Sequence, residues 1–433
     1  LCALSTDYEN SERWYHELEQ FAAKCKKQDA VLRQIKSRIA WLDISLPQRN
    51  TDKLIQIIPS VFRLITNREV KLPPFSVTST LPSIMNGGKD FSPWSKKDDL
   101  LYRTIRIPVE TVLGKDGVSL ADCAIAESKF EKGEDISGRI LLLVSQLGEV
   151  QKKGTPDIEF AMVGLLARSQ IALGRAEDAL RTVQMIRERF AENGHTRFFH
   201  NIDAAICRIW LHMDDLERVQ VWYREQAPKD PLHLNVLKRY QYLTQAMAEL
   251  ALGMPDAVLL TLAPLESYCK DCSRYIDGIH INVLEAIALY RKKDSLWKEK
   301  LNSALDVAQE FGFIRTISVY GAAVLSLLEQ TEYKNDDEWF ARLIKDVRVE
   351  ASFYPDFLQP HLSMENELTA TELQILRLIC ADKSNAQIGQ IMDIKLPTVK
   401  THVSHILTKL DVSRRSEAKT AAKRLWLIPD DKN

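Results

Sequence analysis

Glycine and proline are scarce in this sequence, with 16 of each among 433 residues. Leu, Ala, Lys, Glu, Ile and Arg are abundant instead, and most of these residues favour helices. The composition predicts an all-α protein, and the length allows about three domains. The seven cysteines are scattered and odd in number, which favours a reducing compartment over a disulfide framework.

An excess of one charge and a long apolar run are missing as well. Lys and Arg number 58 against 59 Asp and Glu, so any basic surface must be local and a wholly basic nucleic-acid coat is excluded. No stretch reaches the roughly 18 uninterrupted apolar residues of a membrane helix. We therefore expect a cytoplasmic protein with no membrane partner. Because the chain begins with Leu1 instead of Met, we also expect a piece of a longer protein or a processed start.

Motifs of catalysis and cofactor binding are not found. The phosphate-loop spacing GxxxxGK[ST] does not occur, and Gly87, Gly88 and Lys89 are therefore interpreted as a plain turn. GxSxG, HExxH and a distinctive pair of carboxylates are missing too. Cys269 and Cys272 have the CxxC spacing of half a zinc site or a redox dithiol, but no second CxxC accompanies them. The sequence predicts a protein that is not an enzyme, without catalytic residues, a metal or a cofactor of its own.

The first 98 residues form the first predicted domain. Apolar residues between about 11 and 45 recur in steps of three and four, which indicates two packed helices, and a third helix follows at 51–68. Residues 70–96 collect Pro, Ser and Gly and lose the helical period. They predict an extended segment or a domain edge.

A recurring turn dominates residues 99–360. Short turn signals at Gly133, Gly174, Met213, Gly253 and Lys292 lie about 40 residues apart, each between two apolar helices. We interpret this period as tetratricopeptide-like helix pairs that stack into a superhelix, whose concave surface is open to a small-molecule or peptide effector. Aromatic rings are frequent here and have two interpretations. They could stack on sugars or other planar ligands, or they could pack between the helix pairs, which is the interpretation that we favour.

The last 70 residues carry two helix-start signals. Thr369 and Glu372 form a capping box ahead of a helix at 370–380, and Ser384 and Gln387 repeat it ahead of a short helix that ends near Met392. After a tight turn, LPTVKTHVSHILTKL predicts a longer helix with one apolar face. Its opposite face carries short polar and cationic side chains that suit base edges and phosphates: Thr398, Lys400, Thr401, Ser404, His405, Thr408 and Lys409.

Positive charge is concentrated in the same region. Eight Lys and Arg residues between 395 and 424 face only Asp411 and Glu417. A short helix, a tight turn and a longer helix with this charge are typical of the DNA-binding helix-turn-helix. Composition alone leaves open an ordinary helical bundle with a solvated cationic face.

The segments LTATELQIL, SNAQIGQIM and TVKTHVSHILTKLDVSRR, with the Ala-rich stretch after them, resemble the LuxR-type C-terminal helix-turn-helix over 365–433. The resemblance implies a scaffold helix at 385–392 and a recognition helix at 397–409. It assigns base contacts to Lys400, Thr401 and Ser404, and phosphate contacts to Asn385, Thr398, His405, Lys409 and Arg415. It also places a dimer contact on a final helix at about 414–427, at Ala418, Ala421, Ala422 and Leu425.

Four residues depart from the LuxR-type pattern. Thr371 stands in place of Arg, Asp382 in place of Gly, Gln387 in place of Glu, and Lys395 in place of the Ser or Asp that caps the recognition helix. The helical array in turn resembles the MalT-like group of LuxR regulators. In that group an ATPase module lies upstream, so ATP is expected as a cofactor only if such a module exists.

The sequence as a whole predicts a sequence-specific transcription regulator that binds double-stranded DNA as a homodimer. In this hypothesis the array senses an effector or partner and controls self-association, and two symmetric copies would recognise palindromic half-sites. The alternative is a protein-interaction scaffold whose C-terminal bundle is an adaptor. A hydrolytic effector pocket is the weakest possibility, because no catalytic constellation supports it.

Overall fold

A computed structural model describes residues 2–25, 30–49, 51–68, 70, 76–229, 234–333, 335–353, 368–410, 412 and 414–424. Within these ranges the regular elements are helices, and the one bridge joins Asn86 to Asp90, which confirms the all-α fold class. The larger of two compact units contains residues 1–249 and 255–358, and the smaller unit contains 250–254 and 359–433. None of the described helices is both long and apolar enough to cross a membrane.

The larger unit begins with five helices and two 3₁₀ turns. They are α1 (Tyr8–Lys24), α2 (Ala30–Ser45), α3 (Thr51–Thr66), α4 (Ser92–Ser95) and α5 (Asp98–Leu113), with 3₁₀ turns at Cys2–Ser5 and Gly114–Gly117. The three helices predicted before residue 70 are confirmed. The buried side of α1 differs from the apolar pattern, because Tyr15 is buried whereas Phe21 is 55% exposed. Tyr15 is held by a hydrogen bond of 2.7 Å to Asp43, which a count of apolar residues does not show.

Five helix pairs follow and form the repeat array. They are α6 (Leu120–Glu131) with α7 (Ser137–Lys153), α8 (Pro156–Ile171) with α9 (Ala176–Glu192), α10 (Phe199–His212) with α11 (Leu216–Glu225), α12 (Arg239–Ala251) with α13 (Pro255–Asp271), and α14 (Tyr275–Arg291) with α15 (Trp297–Phe311). Two further 3₁₀ turns lie at Thr196–Phe198 and Val236–Lys238.

A residue with left-handed backbone lies in the turn between the two helices of each pair. The five residues are Gly133, Gly174, Asp214, Gly253 and Lys293, with positive φ between 55° and 75°. They confirm the predicted period of about 40 residues. At two turns the left-handed residue is one position later than the residue that marked the turn in the sequence, Asp214 after Met213 and Lys293 after Lys292.

Three helices end the larger unit: α16 (Arg315–Ser318), α17 (Gly321–Leu328) and α18 (Asp337–Phe353). The amide of Ile314, just before α16, donates a hydrogen bond of 2.7 Å to the carbonyl of Glu131 in α6. Helix α16 also contacts α6 and α14 directly. The last part of the array therefore packs against its first helix pair, so the inner faces of the pairs enclose an interior.

Residues 76–91 run through that interior. The amides of Ile84 and Met85 donate to a carboxylate oxygen of Glu127 at 2.8 and 2.9 Å, and Asn201 donates to the carbonyl of Thr80 at 2.9 Å. These side chains form hydrogen bonds with backbone groups that have no partner in a helix or a sheet. Residues 76–91 consist of bends and turns with the single Asn86–Asp90 bridge, so the segment lacks the helical period but is not extended, and residues 92–95 of the predicted segment form helix α4. Several of its residues, among them Thr78, Leu81 and Ile84, are buried within the larger unit.

The Gly87–Gly88 turn follows the prediction of a plain turn. A Cβ atom on Gly87 would lie 2.9 Å from the carbonyl oxygen of Ser83, so the chain approaches itself too closely for a side chain. Lys89 is buried, and its ammonium donates to the carbonyls of Leu46 and Arg49 at 2.5 and 2.6 Å. These contacts tie Lys89 to the chain between α2 and α3.

The aromatic side chains and the CxxC cysteines of the array are packing residues. None of the eleven aromatic residues of the array that the sequence singles out is exposed: Trp210, Trp222, Tyr223, Tyr240, Tyr242, Tyr268, Tyr275, Tyr290, Trp297, Tyr320 and Trp339. Cys269 and Cys272 are buried free thiols, and burial raises the pKa of both. Among the described residues no group of His, Cys, Asp and Glu side chains could hold a metal ion.

Candidate nucleic-acid interface

Four helices form the smaller unit: α19 (Ala370–Cys380), α20 (Asn385–Met392), α21 (Leu396–Lys409) and α22 (Arg415–Arg424). Both predicted capping boxes are present. Glu372 N donates to Thr369 Oγ1 at 3.2 Å while Thr369 N donates to Glu372 at 2.8 Å. Ser384 and Gln387 exchange the same pair of hydrogen bonds at 2.9 and 3.3 Å. These bonds satisfy amides that the first turn of each helix leaves unpaired.

The core of this unit takes one face from each helix. Val399, Val403 and Ile406 put the apolar side of α21 into it. The remaining buried members are Leu368, Ile375, Leu376, Ile379, Ile388, Leu410, Ala418, Ala421 and Ala422. Because α21 buries this side, its polar side is left facing outward.

The turn between α20 and α21 is tight and depends on two backbone positions. Asp393 has left-handed backbone with φ 53°, and the amide of Ile394 donates to the carbonyl of Gly389 at 3.0 Å. A Cβ atom on Gly389 would lie 2.8 Å from the carbonyl oxygen of Ile394. Glycine at 389 thus allows α21 to begin directly beside the end of α20, which is the helix-turn-helix geometry.

The three residues assigned to bases lie together on α21. Lys400, Thr401 and Ser404 are exposed, and Ser404 lies four positions after Lys400 and three after Thr401, so the three residues lie on the same side of the helix. The Thr401 hydroxyl donates to the carbonyl of Pro397 at 3.1 Å, which leaves its oxygen able to accept. Thr398 and His405, assigned to phosphates, are exposed on the same helix.

Two other residues assigned to phosphates meet at the start of α20. Arg415 Nη1 donates to Asn385 Oδ1 at 2.8 Å, and Nη2 donates to the carbonyl of Lys383. Asn385 is the first residue of α20, where unpaired amides and the positive end of the helix dipole favour an anion. The structure therefore brings a guanidinium, an amide side chain and a helix N-terminus to one place.

Lys409 has a partner inside the unit that the sequence analysis missed. Its ammonium donates to Glu372 Oε2 at 2.7 Å, with 32% of the Lys409 side chain and 4% of the Glu372 side chain exposed. Burial alone would raise the pKa of Glu372, but the hydrogen bonds from Lys409 and Thr369 hold it below its usual value. Lys409 thus ties the end of α21 to the start of α19, and a phosphate would compete with this contact.

Three of the four residues predicted to form the dimer contact on the final helix are buried in the structure. Ala418 and Ala422 are 0% exposed and Ala421 is 4% exposed, all within the core of the same unit. Their small side chains let α22 pack closely on α19 and α21, with both of which it is in contact. They are therefore core residues. The fourth member, Leu425, lies outside the described residues.

A further ion pair went unnoticed in the sequence. Lys419 on α22 donates to Asp382 at 2.7 Å, and Asp382 has left-handed backbone with φ 56°. Asp382 is the position where the LuxR-type pattern has Gly, so the departure from that pattern keeps the turn and adds a charge pair. The sequence did contain a signal for the turn at Asp382, because Gly in the LuxR-type pattern marks a left-handed backbone position, and Asp also tolerates that conformation.

Comparison with known families agrees with this geometry. Residues 366–422 match the model of the bacterial regulatory proteins of the luxR family, and residues 143–334 match the model of the MalT-like TPR region. The chain thus combines a MalT-like tetratricopeptide region with a luxR-family helix-turn-helix domain. The resemblance inferred from the sequence is confirmed on both counts.

Several curated relatives of this chain are named HTH-type transcriptional regulator MalT. The protein of Vibrio campbellii is 26% identical over 297 residues, which are 64% of this chain and 33% of that protein. The protein of Cronobacter sakazakii is 26% identical over 294 residues, 62% of this chain and 32% of that protein. The protein of Yersinia pestis is 26% identical over 302 residues, with shares of 64% and 33%. The chain spans about a third of the length of these relatives.

Proposed function

We propose that the chain is a sequence-specific DNA-binding transcription regulator. The observation that carries this proposal is the exposed polar face of α21, where Lys400, Thr401 and Ser404 stand on a helix whose other face is buried. Such a helix fits the major groove, where base edges present distinct donors and acceptors. The names of the relatives, all transcriptional regulators, support the same function.

Phosphate contacts would orient α21 in the groove. Thr398 and His405 flank the base-facing residues, and the Arg415–Asn385 pair at the start of α20 supplies a second anchor. Phosphate contacts fix register and orientation without reading sequence. We assign Lys409 a different task, because its ammonium already binds Glu372.

We further propose that the array senses an effector and that sensing controls self-association on DNA. A homodimer would place two copies of α21 on palindromic half-sites. Since Ala418, Ala421 and Ala422 are core residues, the dimer contact would involve other residues. The regulator would act without catalysis, in the cytoplasm.

The deciding experiment is selection of bound sequences from random duplex DNA with this chain, followed by fluorescence titration of the selected duplex against scrambled DNA at two salt concentrations. A common motif with at least about a hundredfold preference is expected of a specific reader. Weak, salt-sensitive binding without preference would instead favour the scaffold alternative.

Two variants test the base-reading face. Lys400→Ala should weaken binding to the selected duplex by about 1–3 kcal/mol and relax the preference at one or two base pairs. Lys345→Ala is the matched control, because Lys345 is an exposed lysine on α18 in the larger unit. An equal loss on selected and scrambled DNA would remove Lys400 from the base-reading residues.

A further inference from the structure

The interior of the array contains a cavity of about 140 Å³. The first helix of every pair contributes to its wall, and residues 81–83, α16 and α18 complete it. The wall is apolar at Phe130, Phe160, Leu243 and Met247, and it is charged around three arginines, Arg168, Arg208 and Arg315. Cavities of about this size accommodate a single small ring or a short alkyl chain.

Two of the three arginines are neutralised by carboxylates. Arg168 donates to both Glu127 and Glu131, and Arg315 lies 3.4 Å from Asp346 and 3.5 Å from Glu350. Asp277, the remaining carboxylate of the wall, accepts from Arg239, Arg274 and Asn86. The acidic groups of the cavity therefore all have cationic or amide partners.

Arg208 is different, because its partners are neutral. Its Nε donates to Thr244 Oγ1 at 2.7 Å, its Nη2 donates to the carbonyl of Tyr240 at 3.1 Å, and its guanidinium lies 3.8 Å from the centre of the Tyr240 ring. No carboxylate of the described residues forms an ion pair with it. Arg208 is half-buried in the cavity wall. A partly desolvated cation without a counter-charge is unfavourable, so this site favours an anion brought from outside.

The charge of Arg208 acts on its neighbours. Burial first, and then the nearby Arg208, lower the pKa of His212 and of His280 to about 3. Both imidazoles are therefore neutral at pH 7 and cannot share in the positive charge. His280 is also held by a hydrogen-bonding contact of 2.9 Å between Nδ1 and the Tyr320 hydroxyl. The cavity thus presents one cation beside neutral polar groups and an apolar wall.

We propose that this cavity binds a small carboxylic acid, whose carboxylate pairs with Arg208 and whose apolar part lies against Phe160, Leu243 and Met247. Arginine presents two parallel N–H donors that match a carboxylate. This inference rests on the proposed sensing function of the array and gives it a ligand class. Glu127, Arg168 and Arg208 occupy equivalent positions of the repeat, each six residues before the left-handed residue of its pair. Arg168 is neutralised by Glu127 of the preceding pair, whereas no described carboxylate of a neighbouring pair neutralises Arg208.

The test compares acids with their neutral amides. Acetate, butyrate and benzoate, each paired with acetamide, butyramide or benzamide, are titrated into the whole chain and followed by calorimetry and thermal melting. At least one acid should bind at least about tenfold more tightly than its amide. Glucose is titrated as well, as a neutral sugar. The proposal is overturned if each acid binds no more tightly than its amide, if glucose binds more tightly than the acids, or if no acid binds.

Three variants locate the site. Arg208→Gln should remove the preference for the acid, whereas Arg181→Gln should keep it, because Arg181 is an exposed arginine on α9 that pairs with Glu177 and Asp178. Ala205→Leu narrows the cavity and keeps Arg208, so it should weaken acid and amide together. Acid binding that survives both Arg208→Gln and Ala205→Leu would place the ligand elsewhere.

These experiments test the cavity assignment and the proposed regulator function separately. The titrations contain no DNA, so a chain that binds benzoate through Arg208 but selects no DNA sequence would contradict the proposed regulator and keep the cavity assignment. A chain that selects a DNA sequence but binds no acid would do the reverse.

Discussion

Lys395 shows how one residue can leave a helix incompletely capped. It occupies the position before α21 with the extended backbone of an N-cap, φ −69° and ψ 146°, and its side chain accepts no hydrogen bond from the helix. Ser at this position would accept from an amide of the first turn and stabilise the unit by about 0.5–2 kcal/mol. We expect Lys395→Ser to raise the free energy of unfolding by that amount, measured by chemical denaturation.

Lys395→Ala is the matched control, because it removes the same charge and adds no cap. If the Ser and Ala variants are equally stable, the gain does not come from capping. DNA titration of both variants then gives the separate contribution of the Lys395 charge.

Lys409 illustrates how a cation beside a recognition face can serve the fold. Lys409→Met should destabilise the smaller unit by about 1–3 kcal/mol, because Glu372 is 4% exposed and loses a charged donor. If the Lys409 ammonium keeps its contact with Glu372 when DNA binds, the salt dependence of DNA binding should change little. If Lys409→Met lowers the salt slope of DNA binding by about one and leaves stability unchanged, Lys409 contacts a phosphate instead.

At the scale of helices, the turn between α20 and α21 is the most restrictive element of the smaller unit. Gly389→Ala would place a methyl group 2.8 Å from the carbonyl of Ile394, and overpacking of this kind costs typically 1–3 kcal/mol. We expect Gly389→Ala to lower the free energy of unfolding by about this amount and to weaken DNA binding, both measured on the purified variant.

Gly148→Ala is the helical control for that variant. Gly148 lies inside α7, where an added Cβ meets no atom within 4 Å, so alanine there should be neutral or stabilising by up to about 1 kcal/mol. Equal effects of the two substitutions would mean that helix propensity, and not the close approach to Ile394, decides the outcome at 389.

Features that depend on nearby residues were predictable, and features that depend on distant ones were not. The capping boxes at Thr369 and Ser384 span three residues, and the repeat period follows from local turns, so the sequence predicts both. The Lys409–Glu372 pair joins residues 37 positions apart, and the cavity joins helices from five repeats. The face of Ala418 was ambiguous for another reason, since alanine is equally suited to a core and to a contact between subunits.

For the molecule as a whole, Glu350 links the stability of the larger unit to pH. Its carboxyl is 3% exposed in the wall of the cavity, and burial, only partly offset by Arg315, raises its pKa to about 7. In the unfolded chain the pKa of Glu is about 4.3. The folded chain therefore holds this proton more tightly, and the contribution of Glu350 to stability is full below pH 4.3 and lost as the pH rises to about 7.

Glu350→Gln isolates this contribution, because glutamine resembles the protonated carboxyl at every pH. We expect the stability of the natural chain relative to Glu350→Gln to fall between pH 4.3 and 7, by at most about 1.4 kcal/mol per pH unit, in denaturant titrations at several pH values. His212 and His280, whose lowered pKa values destabilise the fold as pH falls below 6.5, act equally in both chains and cancel in the difference. A difference that does not vary with pH would mean that Glu350 is already ionised at pH 4.3, held by Arg315 more strongly than its burial implies.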